Sequence, residues 1–258
     1  MAKAVNLLGF TRQDIQNAGL GSGKLTDILE QMSLFDYNRW DDDFQGDTLH
    51  GSYQSTASGA GSAAAALTAG TLGGVVTLAT GTDDNGYSDL SLGRHYTGER
   101  AAVMACRVKC DVVTGYKLEV GFTDVISGTD AGAVNAHSLS AATFRADDWC
   151  GLIVDTDIAG GSAVLHLSGV AATVGVNSVS TGVSLVAATY LTFILALQDT
   201  VMHVAILNAS HELVYRGQLA LAVTKTVLLT PWVFAQTRNT SAKVVDIDKL
   251  HLRQHVYT

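Results

Sequence analysis

From about residue 74 onward, the apolar residues of this chain fall on every second position, and charged or polar residues take the positions between. In 102–112 the even positions are Ala102, Met104, Cys106, Val108, Cys110 and Val112, while Arg107, Lys109 and Asp111 point the other way. The next run repeats the rule, with Tyr116, Leu118, Val120 and Phe122 on one face and Lys117, Glu119 and Thr123 on the other. A period of two is that of a strand with one face packed inward. Only Val113, Thr114 and Gly115 separate the two alternating patterns, and that spacing predicts a hairpin with its turn at Thr114 and Gly115. Further strands are predicted over 74–80, 88–92, 149–155, 163–169, 190–198, 201–207, 212–217, 232–237 and 243–253. The 190–197 run is apolar on both faces, which predicts a central strand covered on each side. In the last strand the apolar parity changes from Val245 and Ile247 to Leu250 and Leu252, which implies a bulge near Asp248. Ten or more strands with no helical pattern between them predict an all-β fold, a two-sheet antiparallel β-sandwich.

The first 36 residues read differently. Thr11 with Asp14 resembles a capping box, Ile15 supplies an apolar position, and Gly19 suits a helix end. Leu25, Ile28, Leu29 and Met32 then form one apolar stripe at helical spacing. Two short helices joined by 19–23 bury little alone and must lie against the sandwich or another subunit. The expected organisation is a helical arm over 1–36 and a jelly-roll domain over 37–258, with Phe10, Ile15, Leu25, Ile28, Leu29 and Met32 as the arm's docking residues. Between them, 53–74 is almost uncharged Ser, Gly, Ala and Thr, and reads as a loop or an extended surface segment.

Composition narrows the function classes. Charged residues are only 16% of the chain and the formal net charge is −8. No Lys/Arg run is long enough to track a phosphate backbone, so no nucleic-acid partner is expected. No apolar run reaches the roughly 18 residues of a membrane helix, and the first ten residues lack a signal-peptide core, so no membrane partner and a cytosol-like site of synthesis are expected. Cys106, Cys110 and Cys150 are an odd count; the first two, four apart on one strand, lie roughly 13 Å apart, too far to bridge. All three read as small core residues.

The chemical signals are weak. The GLGSGK segment, 19–24, lacks the phosphate-loop spacing, because Ala18 stands where glycine is needed and Leu25 where the hydroxyl belongs. Asp83, Asp84, Asn85 and Gly86 read as a hairpin turn, and Asp41, Asp42 and Asp43 as a turn and cap cluster. Carboxylate pairs for glycoside cleavage reduce to Glu119 with Asp124, of opposite parity, and Asp246 with Asp248, which share one. The histidines, His50, His95, His137, His166, His203, His211, His251 and His255, are dispersed and read as surface or strand-edge residues. No nucleophile elbow occurs, and the sequons at Asn208 and Asn239 matter only in a secreted chain. The reading is of a non-enzyme without cofactor or metal.

Several segments together resemble the concanavalin-like, laminin-G-like jelly rolls of tailed-phage structural proteins: YNRWDDDF at 37–44, GVVTLATGTDDNG at 74–86, the strand pair within 99–124, the short hairpin at 203–217, LTPWVFAQ at 229–236 and VVDIDKLHL at 244–252. The resemblance covers roughly 37–254. It implies a capsid decoration or cement protein on the outer surface of a phage head, made in the host cytoplasm, often homo-oligomeric, with the major capsid protein lattice as partner and the arm as anchor. The alternative it implies is a receptor- or glycan-binding module of a tail fibre, for which Trp40, Trp149 and Trp232 are the available aromatics.

Overall fold

The computed structural model describes residues 37–68, 73–128, 132–137, 142–157 and 163–256. The arm residues Phe10, Ile15, Leu25, Ile28, Leu29 and Met32, and the segment 19–24, lie outside the described residues.

Among the described residues seventeen strands follow one another: β1 (Tyr37–Asp42), β2 (Ala57–Ser58), β3 (Ser62–Leu67), β4 (Val76–Thr80), β5 (Tyr87–Ser91), β6 (Val103–Cys110), β7 (Tyr116–Thr123), β8 (Val134–His137), β9 (Ala142–Phe144), β10 (Trp149–Asp155), β11 (Val164–Ala171), β12 (Val174–Ser184), β13 (Leu191–Gln198), β14 (Val201–Leu207), β15 (Leu213–Leu219), β16 (Thr230–Thr237) and β17 (Val244–His255). They build two antiparallel sheets. The first has the order β15-β14-β13-β6-β17-β4-β3, with β1 added to the far half of β17; the second has the order β12-β11-β10-β7-β16-β5-β2. β8 and β9 form a separate two-stranded unit. No helix occurs among the described residues.

The two sheets pack their inner faces into one core, including Met104, Phe122, Leu152, Phe193, Val233 and Ile247. The alternation read from the sequence assigns Met104, Phe122 and Ile247 inward correctly, while in β16 it points to Trp232 and Phe234 where the residue facing the first sheet is Val233, and β10 and β14 have the predicted bounds. The bulge predicted near Asp248 is present, as a register shift of β17 against β6 between Ile247 and Lys249. Of the 53–74 segment, 53–68 takes the extended alternative, since β3 is an exposed edge strand.

Two kinds of expectation are corrected, the hairpins and the doubly covered strand. β6 and β7 do not form a hairpin. β6 pairs with β13 and β17 in the first sheet, β7 with β10 and β16 in the second, so 111–115 is an arch across the core. Asp111 shapes the arch by accepting from the Val244 amide at 2.9 Å, and Gly115 turns it at φ 60°. Alternation cannot separate the two cases, because strands facing one another across a core and strands side by side both point alternate residues into it. The 81–86 turn is likewise an arch, from β4 in the first sheet to β5 in the second. The second correction concerns β13: it is central in its sheet, but buries Leu191, Phe193, Leu195 and Leu197 while Thr192, Ile194 and Ala196 stay half-buried. The strands buried on both faces along their whole length are β5, β7, β10 and β16 of the second sheet.

Candidate functional site

The outer face of the second sheet is where polar chemistry gathers. β7 sends Lys117 and Glu119 outward, β16 sends Trp232, Phe234 and Gln236, β10 sends Trp149, Ile153 and Asp155, and β5 sends Tyr87 and Asp89. In an open sheet this would be a solvated surface. Here 125–128, 132–137 and 142–148, with β8 and β9 among them, lie over it as a cover and make a second apolar core from Tyr87, Ala133, Val134, Ala146, Trp149, Ile153, Val170, Trp232 and Phe234.

Lys117 and Glu119 are both fully buried beneath this cover, 2.8 Å apart. Glu119 also accepts from the amides of Ala133 (2.9 Å) and Val134 (3.1 Å) and from Trp232 Nε1 (2.9 Å). Lys117 donates to the Val134 carbonyl, and its ammonium lies 5.4 Å from the centroid of the Phe234 ring. Burial pulls the Lys117 pKa down, with the Glu119 charge opposing. A carboxylate holding three neutral N–H donors and one cation is satisfied where it stands. Gly132, at φ 68°, lets the cover approach: a Cβ there would lie 2.6 Å from a Glu119 oxygen. Trp149 fills the hollow that Gly151 leaves in the sheet.

Along the same face Asp155 is held by Arg238 at 2.6 and 3.1 Å, and Arg238 also reaches Asn85. Asp89 ties down the start of the cover, accepting from Gly128 N and from both the amide and hydroxyl of Thr56; burial raises its pKa against those hydrogen bonds. At the other end His137 of β8 and His166 of β11 lie with ring centroids 4.8 Å apart, bridged by Ser178 Oγ at 2.7 and 3.3 Å. Both imidazoles are buried, which corrects the surface reading of these two histidines; 29 residues of separation hid the contact. Burial pushes both pKa values down, His137 to about 4.

The carboxylate pairs considered from sequence do not assemble a cleft. Asp124 lies past the end of β7, away from Glu119. Asp246 and Asp248 do share the outer face of the first sheet, but each has its own cation: Asp246 meets Lys109 at 2.9 Å, and Asp248 meets Arg107. The Arg107 guanidinium lies 4.1 Å from the centroid of the Tyr190 ring. Asp41, Asp42 and Asp43 are strand and turn residues with separate tasks. Asp41 pairs with Arg39 and His251, Asp42 accepts from the Phe44 amide (2.7 Å), and Asp43 accepts from Gln45 (2.9 Å). Burial raises the Asp41 pKa, but His251 and Arg39 outweigh it and hold the carboxyl below its ordinary range. Among the described residues no three His, Cys, Asp or Glu side chains are grouped as a metal site. The three cysteines are buried thiols, and burial raises Cys110 to about 12.

An open concavity of about 580 Å³ lies elsewhere, beside β1. Trp40 forms its wall, edge-on to His50 (4.8 Å) and donating to Tyr53 Oη at 3.0 Å, with Arg39, Asp42, Gln45 and Thr48 around it. Trp149 and Trp232, by contrast, are wholly buried.

No protein-family model matches the chain, and no curated protein matches its sequence. Solved structures do. A protein of unknown function from Shewanella oneidensis MR-1 superposes with TM-score 0.61 at 13% identity, over 92% of this chain and 95% of that one. Peanut lectin, solved with a nine-residue peptide, gives 0.53 at 9% identity over 86% and 100%. LamA from Zobellia galactanivorans, in complex with laminaritriose and laminaritetraose, gives 0.55 at 10% over 85% and 99%. At such identities the likeness is one of fold, and this chain is a jelly-roll β-sandwich of the concanavalin and legume-lectin type.

Proposed function

We propose that this protein is a non-enzymatic structural module, a decoration or cement protein that binds the major capsid protein lattice on the outer surface of a tailed-phage head. One observation carries the non-enzymatic part of the reading. The broad face of the second sheet, where a sandwich could cradle a substrate, is filled by the protein's own cover, 132–137 and 142–148, and its acids are already committed to Lys117, Arg238 and backbone donors. The virion role rests on the sequence resemblance, with 1–36 as the anchor. Burying the six apolar arm residues at roughly 1.5–3 kcal/mol each gives ample gross driving force for docking, and repetition on a lattice multiplies it through avidity. Deletion of 1–36 is expected to leave a soluble, folded sandwich that no longer joins particles. Normal incorporation of the truncated chain into virions overturns the proposal.

The Trp40 concavity favours a second reading, a glycan-binding module of a tail fibre, because it offers an aromatic wall with polar side chains around it. Saturable binding on a glycan array, abolished by Trp40→Ala, would put this reading first.

A further inference from the structure

One side of the sandwich differs from the rest of the surface. β12 ends the second sheet and β15 ends the first, and the two lie against each other, so both open edges fall on the same side. Six of the ten large apolar residues exposed among the described residues are here: Val174, Val179, Val186, Leu213, Val214 and Leu221, each 41–70% exposed.

Charge avoids this side as well. From residue 158 to residue 198 the sequence contains no Asp, Glu, Lys or Arg, in a chain whose net charge is −8. β12 has neither Lys nor Pro, and β15 carries Arg216 as its one charged residue. Strand edges that must stay alone are ordinarily guarded by such residues.

We infer that this strip is a self-association surface, on which a second copy of the chain packs side to side about a two-fold axis. A second copy fits better than an oppositely charged partner, for two reasons. Chains that each carry −8 repel one another over most of their surface, and a strip whose two edge strands hold Arg216 as their one charged residue, and no acid, lets them approach with little like charge to bury. The strip is also of the right size: strands of 11 and 7 residues with Leu185, Val186, Ala220 and Leu221 beside them come to about the 20–30 residues that one partner contributes to a standard interface. A two-fold contact sets the same apolar patch against itself. The inference is independent of the virion reading and uses no residue of the arm.

Sedimentation of the full chain tests it. The wild type is expected to be a dimer at about 10 µM, and Val179→Lys combined with Val214→Lys to be a monomer, its dissociation constant raised at least ~100-fold by opposed buried charges. Leu221→Lys alone should weaken the dimer in the same direction. Both changes are at exposed positions, so circular dichroism should be unaltered, and Ile126→Lys, exposed but off the strip, should leave the dimer intact. A wild type that is monomeric at ~100 µM, or a dimer that the double variant leaves unchanged, overturns the inference.

Discussion

The outer faces of the two sheets begin from the same kind of sequence and end in different physical states. β6 and β7 both alternate apolar residues with charged ones, and each outer face holds Lys or Arg beside acids. On the first sheet Lys109 with Asp246 and Arg107 with Asp248 stay partly exposed, 20–28% by side chain, in water that screens them. On the second sheet the Lys117 and Glu119 pair is sealed at zero exposure under the cover of 132–137 and 142–148. The strand pattern sets which residues point outward. Whether an outward face is a surface or a second core is set by what lies on it, and the same ion pair changes from a weak surface contact to a point on which the cover depends.

The largest effect that would break this comparison is expected at Glu119. Glu119→Ala leaves a buried ammonium and three buried N–H donors without their acceptor, and should cost about 3–5 kcal/mol in urea unfolding. Lys117→Met should cost less, about 1–3 kcal/mol, because the carboxylate keeps the Ala133, Val134 and Trp232 donors. If the two variants are equally harmful, the donors are not what satisfies Glu119.

Acid sharpens the comparison next. His137 and His166 have depressed pKa values in the closed state, so a form with the cover lifted binds protons first, near the ordinary 6.5. Closure is therefore at full strength above 6.5 and weakens as pH falls toward about 4. Asp155 favours the protonated His137, while Lys117 and His166 oppose it, so the net direction follows from burial. Hydrogen exchange of 132–137 and 142–148 should rise across that window while the first sheet stays protected. His137→Gln should flatten the rise.

The smallest effect is expected on the open face. Asp248→Asn removes one partner of a partly exposed pair and should change stability by about 0–1 kcal/mol, with the difference shrinking in salt. A cost above about 3 kcal/mol would mean that this face too is covered.

Much of this frame was legible in the sequence. The inward faces of β6 and β7, the bounds of β10 and β14 and the bulge in β17 follow from local sequence pattern alone. Sheet membership is not local, and the arch at 111–115 shows it: inward Cys110 and Tyr116 suit a hairpin as well as a crossing. β12, rich in Ser, Gly and Val, and the short β8 and β9 carry too little alternation to be seen. The burial of Lys117 and Glu119 had no signal in their own strand, because it comes from a segment more than ten residues away. Trp232 and Phe234 did give one, since their alternation reads as core, and they are core, though on the outside of the sheet. The arm's apolar stripe lies outside the described residues.

The central claim, that the cover of 132–137 and 142–148 closes the outer face of the second sheet, is most directly tested by acrylamide quenching in a Trp40→Phe variant, whose remaining emission comes from Trp149 and Trp232. Both indoles are wholly buried under the cover, so their fluorescence at pH 7 should be nearly insensitive to the quencher. Quenching close to that of an exposed indole would mean that the face is open, and would contradict the account.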